Sequence, residues 1–234
     1  MSRSTVRILL AGAACAVAPV LTGVALTPAA TATQPSGYGP SSPFIEALLP
    51  SHGPVEPMKD QSKIIETTDG YRLTSGQQDN HIRITEDGRT VRFRDTATRS
   101  WNSLPDSCTK LQVKRGISAV CTVPNGTSVA NPLLLEVHPR LGDDFTNGRK
   151  LSAAFQLAVL CDAGNDTVFG GRGDDFVNGA HDPDVIRGGA GNDWIRGGTG
   201  DDRLSGGAGN DYIVGQDGTN TISGGAGVNR IFNR

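Results

Sequence analysis

Between Cys161 and Phe232 an acidic or amide residue recurs every nine positions: Asp166, Asp175, Asp184, Asp193, Asp202 and Asp211, followed by Asn220 and Asn229. Side-chain oxygens at a fixed interval, each preceded by glycines whose backbone carbonyls are sterically accessible, are donors suited to a hard cation. Zinc would want nitrogen or sulfur ligands and magnesium a stricter octahedron, whereas calcium takes six to eight oxygens at about 2.3–2.6 Å in flexible geometry. Catalytic chemistry is poorly provided for. The histidines are His52, His81, His138 and His181, with no HExxH pair among them, and no GxSxG occurs. The carboxylate pairs Asp143/Asp144 and Asp174/Asp175 fall at turns, where solvation or a cation explains them better than acid–base catalysis. The chain therefore reads as a non-enzyme.

The interval belongs to a stricter pattern. Residues 161–232 divide into eight nonapeptides, CDAGNDTVF, GGRGDDFVN, GAHDPDVIR, GGAGNDWIR, GGTGDDRLS, GGAGNDYIV, GQDGTNTIS and GGAGVNRIF, with Val168, Val177, Ile186, Ile195, Leu204, Ile213, Ile222 and Ile231 always at position eight. Composition alone would make this stretch a flexible linker, but a linker has no reason to hold an aliphatic residue in register eight times. The units resemble the haemolysin-type, repeats-in-toxin nonapeptide GGxGxDxUx, and four of them carry the full GGxGxD core: Gly170–Asp175, Gly188–Asp193, Gly197–Asp202 and Gly206–Asp211. The resemblance implies a calcium-binding parallel β-roll, a right-handed β-helix. Members of that family include proteases and lipases whose catalytic domains precede such repeats, which makes an enzyme with an unrecognised site in residues 61–147 the rival class.

The elements that must position the aspartates follow from backbone physics. Gly at positions one, two and four permits positive φ and close backbone approach, and a three-residue xUx strand follows. Two nonapeptides make one coil of eighteen residues, giving about four coils whose neighbouring strands lie about 4.8 Å apart. One edge then carries Asp166, Asp184, Asp202 and Asn220, and the other Asp175, Asp193, Asp211 and Asn229. Carbonyls of Gly171, Gly173, Gly189, Gly191, Gly198, Gly200, Gly207 and Gly209 complete the expected ligand set. Gaps between loops on the same edge accommodate up to about six calcium ions, and the two Asp–Asn gaps should be the weakest. The unit GAHDPDVIR, with Asp182 in place of the position-four Gly and Pro183 after it, should be the most distorted. So thin a core cannot offset the ordering of so many residues, so metal binding energy is expected to become folding energy.

Upstream, residues 1–32 read as a secretory signal, with Arg3 and Arg7, an apolar run from Ile8 to Leu26, and Ala30-Thr31-Ala32 ahead of the cleavage point. Pro19 and Pro28 argue against a membrane anchor, so no stable span is expected after cleavage. Cys15 raises a lipoprotein alternative, but Gly12 stands where a lipobox has Leu. Residues 33–60, rich in Pro, Ser and Gly, read as an extended linker with a helical turn at Phe44–Leu49. Residues 61–147 read as an antiparallel β cap domain. Ile64–Glu66, Tyr71–Leu73, Ile82–Thr85 and Val91–Phe93 make two hairpins turning at Asp69-Gly70 and Asp87-Gly88, with Arg83 and Arg92 on the solvated face. Cys108 and Cys121 lie equally far from a turn at Lys114-Arg115 and are expected to form a disulfide, leaving Cys161 as a buried small residue. Leu133–Val137 is an apolar strand, Leu141–Phe145 resembles a degenerate repeat turn, and residues 148–160 connect to the array at 161–232.

The whole chain carries a formal charge of −2, which favours neither nucleic acid nor an acidic membrane as partner, whereas from residue 161 onward there are eleven Asp, no Glu, six Arg and no Lys, a surface suited to cations. The overall expectation is an all-β, secreted, extracellular calcium-binding protein. It bears a general likeness to small exported calcium-binding proteins of actinobacterial type. Calcium ions are its expected partners, with an adhesin or cell-surface polysaccharide-binding role as the alternative. The outward positions Arg172, Trp194, Arg203 and Tyr212 follow no readable recognition code.

Overall fold

Alternating apolar residues and glycine-punctuated turns produce strands throughout. In the computed structural model, which describes residues 60–233, every regular element is a β-strand. The signal, the Cys15 alternative, the Phe44–Leu49 turn and all of the linker except Asp60 lie outside the described residues. The N-terminal strands are β1 (Gln61–Glu66), β2 (Gly70–Thr74), β3 (His81–Asp87), β4 (Thr90–Asp95), β5 (Ser100–Ser103), β6 (Cys108–Leu111) and β7 (Ile117–Thr122). A solenoid follows: β8 (Leu133–Leu141), β9 (Phe145–Lys150), β10 (Phe155–Ala163), β11 (Thr167–Phe169), β12 (Phe176–His181), β13 (Val185–Ala190), β14 (Trp194–Thr199), β15 (Arg203–Ala208), β16 (Tyr212–Asp217), β17 (Thr221–Ala226) and β18 (Arg230–Phe232).

Successive solenoid strands alternate between two sheets, so each coil contributes one strand to each. One sheet has the order β18-β16-β14-β12-β10-β8-β2-β1-β5 and the other β17-β15-β13-β11-β9-β3-β4-β7-β6. All pairs from β8 onward are parallel and, within the repeats, separated by eighteen residues, as Val177↔Ile195 and Ile186↔Leu204 show. The solenoid has about six turns starting at residue 133, not about four starting at 161. Parallel pairing needs only backbone groups, so β8, β9 and β10 join the ladder although their residues have left the nonapeptide template.

The first and last repeat strands, β11 and β18, have the three residues expected, but β12 to β17 have six. These run from position seven of one unit through position three of the next, because the residues at positions two and three also pair across coils, as in Gly189↔Gly207 and Ala190↔Ala208. Between them only positions four to six turn.

At the N-terminal end both expected hairpins form, β1–β2 through Glu66↔Tyr71 and β3–β4 through Asp87↔Thr90, with Arg83 and Arg92 exposed. Their inner strands continue the solenoid ladders in parallel, β2 on β8 and β3 on β9. One hydrophobic core therefore runs without a break from Ile64, Leu73, Ile82 and Phe93 through Val137, Leu157 and Val159 to Val168, Val177, Ile186, Ile195, Leu204 and Ile213. Cys108 and Cys121 face each other on β6 and β7 and are joined by a disulfide, and Cys161 is buried and unbridged. On the outer face of the first sheet Trp194, expected to be exposed, is buried. Cross-coil register stacks its ring against Phe176 at 4.7 Å and Tyr212 at 6.0 Å.

Candidate metal centre

From the third unit onward each turn has the same construction. Positions two and four take positive φ, at Gly189 (122°) and Gly191 (113°) for example, where glycine avoids a steric penalty. Position one does not, and its glycine is required for space. A Cβ on Gly188 would fall 2.1 Å from Asp193 Oδ2, on Gly197 2.1 Å from Asp202 Oδ2, and on Gly206 2.0 Å from Asp211 Oδ2. The position-one glycine is a cradle for the carboxylate five residues later. The unit GAHDPDVIR is not the distorted loop its sequence implied. Ala180 (φ 81°) and Asp182 (φ 72°) adopt the left-handed conformation taken by glycine elsewhere. Neighbouring coils hold the turn to shape, so the unit keeps its geometry at the cost of local strain.

The position-six residues form two ladders. On one edge the backbone N–H of Asp166 donates to Asp184 Oδ1 (2.8 Å), Asp184 N–H to Asp202 Oδ1 (3.0 Å) and Asp202 N–H to Asn220 Oδ1 (2.9 Å). On the other, Asp175 N–H donates to Asp193 Oδ1 (2.9 Å), Asp193 N–H to Asp211 Oδ1 (2.9 Å) and Asp211 N–H to Asn229 Oδ1 (2.8 Å). The two edges predicted from the eighteen-residue spacing are the edges seen. One carboxylate oxygen of each Asp is thus consumed in tying coils together.

The second oxygen is left over. Oδ2 of Asp166, Asp184, Asp193, Asp202 and Asp211 is buried without a hydrogen-bond donor, whereas Asp175 Oδ2 accepts the N–H of Gly171 at 2.5 Å. Buried acceptors without donors are costly and rare in native proteins, and here they recur at the same place in successive turns. Burial raises these carboxyls: Asp166 and Asp175 to about 7, Asp184 to about 8 and Asp193 to about 10, with Asp202 and Asp211 also raised; for Asp184 and Asp193 the like charges above and below add to the effect. The Cys161 thiol, buried beside Asp166, is pushed up as well.

Backbone carbonyls supply the remaining oxygens. The carbonyl of Gly171 faces Gly189 and that of Gly173 faces Gly191. Those of Gly189 and Gly191 face Gly207 and Gly209, which in turn face Gly225 and Gly227, each 1.9–2.3 Å from where a Cβ would stand. On the opposite edge the carbonyls of Ala180 and Asp182 face Gly198 and Gly200, and that of Gly200 faces Gly218. Position-one carbonyls lie beside the carboxylates: a Cβ on Gly179 would meet both Asp184 Oδ2 (2.1 Å) and the Gly197 carbonyl oxygen (2.5 Å), and one on Gly206 both Asp211 Oδ2 (2.0 Å) and the Gly224 carbonyl oxygen (2.6 Å). Among the described residues no group of three or more His, Cys, Asp or Glu side chains converges on one point, so a cation in the gaps between stacked loops would depend on main-chain oxygens for much of its shell. That donor set, all oxygen with unpartnered carboxylates, fits calcium and not zinc.

Two features escaped the sequence reading. A second ladder runs along position five, where Asp174 Oδ1 accepts Asn192 N–H (2.7 Å), Asn192 Oδ1 accepts Asn210 N–H (2.9 Å) and Asp201 Oδ1 accepts Thr219 N–H (2.6 Å). The recurrence of Asn or Asp at that position was the available signal. The other is the place of Asp144 in the column: its turn, Leu141–Phe145, read as a degenerate repeat, and the structure sets it directly above Asp166, its N–H donating to Asp166 Oδ1 at 2.8 Å.

Comparison with protein families identifies the array. Residues 162–186, 182–213 and 196–231 match the RTX calcium-binding nonapeptide repeat, so the stretch 162–231 consists of calcium-binding repeats of that kind. Neither the curated proteins nor the solved structures yield a match to the chain.

Proposed function

We propose that the chain is an exported calcium-binding protein whose repeats, residues 161–232, complete their fold by taking calcium into the gaps between stacked turns. Asp166, Asp175, Asp184, Asp193, Asp202 and Asp211 are the carboxylate ligands, Asn220 and Asn229 close the weaker last gaps, and the position-two and position-four carbonyls fill the shell. The observation that carries the reading is the run of buried Oδ2 atoms without donors. In this account residues 61–147 act as the cap, 148–160 as the connector, and 1–32 are removed during export through the cell membrane. Outside the cell, millimolar calcium drives folding that the low calcium inside does not support. The role is binding, with no catalytic step assigned to any residue.

Calcium titration of residues 33–234, followed by far-UV circular dichroism with a matched magnesium series, tests the reading. A cooperative gain of β signal in sub-millimolar to millimolar calcium, absent in magnesium, is expected. A spectrum that chelation leaves unchanged, with no calcium bound at equilibrium, would overturn it.

A second reading, attachment to a cell-surface polysaccharide, draws on the outer face of the first sheet. There Asn178, His181, Arg196, Thr199, Gln216 and Asp217 line one shallow depression with polar groups. Calcium-dependent retention of the folded chain on purified cell-wall polysaccharide is its test.

A further inference from the structure

The turn that precedes the matched repeats has the shape of a repeat turn. Arg140 (φ 84°) and Gly142 (φ 116°) take the left-handed conformations of positions two and four, and Asp144 occupies position six. A Cβ on Gly164 would lie 2.1 Å from the carbonyl oxygen of Gly142, as one on Gly191 would lie 2.3 Å from that of Gly173. The N–H of Thr167 donates to the carbonyl of Asp144 at 2.8 Å, as that of Val185 does to Asp166 at 2.8 Å. Parallel pairing of β9 with β11 continues the register through Thr167↔Phe145 and Val168↔Thr146.

Asp144 is 3% exposed, and its two oxygens differ in the same way as those of the repeats. Oδ1 accepts the backbone N–H of Asn80 at 2.6 Å and its side-chain amide at 3.0 Å, while Oδ2 is buried with no donor. Below it, Asp166 Oδ2 is also without a nitrogen or oxygen donor. Arg140 is the cationic side chain of this turn; burial pushes its guanidinium below the usual range, and the Asp162 carboxylate offsets this only in part.

We propose that a divalent cation binds between the turns 140–144 and 162–166, held by the carboxylates of Asp144 and Asp166 and the carbonyl of Gly142. This site lies partly outside the matched repeats and rests on the calcium reading of the array. It joins the first coil of the solenoid to the first repeat, so the ion acts as a clamp between these two stacked turns.

The step from Asp144 to Asp166 spans twenty-two residues instead of eighteen. The extra residues are accommodated at the turn between β9 and β10, on the opposite edge. That edge has no equivalent site. Leu157 stands above Asp175 and donates its N–H to Asp175 Oδ1 at 2.8 Å, but it brings no carboxylate. Above Asp144 the column ends at Asn80, whose side-chain amide is engaged as a donor.

The test counts calcium ions on the full chain by equilibrium dialysis, comparing wild type with Asp144→Asn and with Asp193→Asn in the array. Asparagine keeps Oδ1 as acceptor for Asn80. At calcium concentrations that fill the Asp–Asp gaps but not the weaker Asp–Asn gaps, Asp144→Asn is expected to bind one ion fewer than wild type. An unchanged count in Asp144→Asn, alongside a reduced count in Asp193→Asn, would overturn this site and leave the array reading intact. No calcium bound by wild type would overturn both. Terbium-loaded crystals of the wild-type chain supply a measurement independent of any variant. Anomalous density between Asp144 and Asp166 is expected, and density in the repeat gaps without density there would refute the site.

Discussion

The position-one glycines show how a single missing methyl group shapes the site. Their φ values are ordinary, yet a side chain there would enter the space of the position-six carboxylate. Gly206→Ala should therefore displace Asp211 and destabilise the calcium-loaded chain by roughly 1–3 kcal/mol, the usual cost of overpacking. It should also weaken binding in the gaps that Asp211 borders. Urea unfolding in excess calcium and a calcium count measure the two effects, and a variant indistinguishable from wild type in both would contradict the steric argument.

Glu136 on β8 illustrates a different residue-scale balance. Burial raises its carboxyl, but the nearby His138 ring, with Nε2 at 3.6 Å, and the hydrogen bond from Arg72 Nε at 2.6 Å outweigh burial and hold it below the usual range. A depressed carboxyl stabilises the fold above its unfolded value of about 4.3 and loses that contribution as pH falls through the folded value. Glu136→Gln should cost about 1–3 kcal/mol near neutrality, a difference from wild type that shrinks below about pH 4. Denaturant midpoints of both proteins across pH 3–7 would show it, and a pH-independent gap would rule out the linkage.

At the scale of elements, the disulfide closes β6 on β7 at the far end of the second sheet, a separation of thirteen residues. Closing a loop of that size stabilises by roughly 2–4 kcal/mol, mainly by restricting the unfolded chain. The double substitution Cys108→Ala, Cys121→Ala should lower the melting temperature in calcium while leaving the number of bound ions unchanged, because no cysteine of the pair approaches the aspartate ladders. A melting temperature equal to wild type would mean that the edge strands are already held by β4.

Strand identity was readable at this scale wherever a period existed. The two hairpins, the cysteine pairing and the position-eight row all follow from alternation, turn residues and spacing. Strand length was not readable, because glycine carries no pattern that distinguishes a turn from a strand. The pairing of Gly189 with Gly207 across coils is decided by neighbours eighteen residues away.

At the scale of the molecule, the ladders turn many weak contacts into one structure. Each coil buries little apolar surface, and Ile231 on the last described coil is 44% exposed where Ile213 is fully buried. Cations between turns would stabilise neighbouring coils together, since any ligand bound only by the folded state adds to its stability. This is why a cooperative response to calcium is expected from the roll as a unit.

The sequence by itself determined the nonapeptide register, the two columns of Asp and Asn, the all-β class and the disulfide, since each is a periodic or local property written in residue types. Only the tertiary structure decided that the solenoid begins at residue 133, that the degenerate repeat turn at Leu141–Phe145 stacks its Asp144 on Asp166, and that Asp182 and Ala180 take glycine-like conformations. Backbone pairing tolerates almost any side chain, and twenty-two residues can span a coil as eighteen do, so these features leave no periodic trace. They arise from the coil stacked above and the coil stacked below.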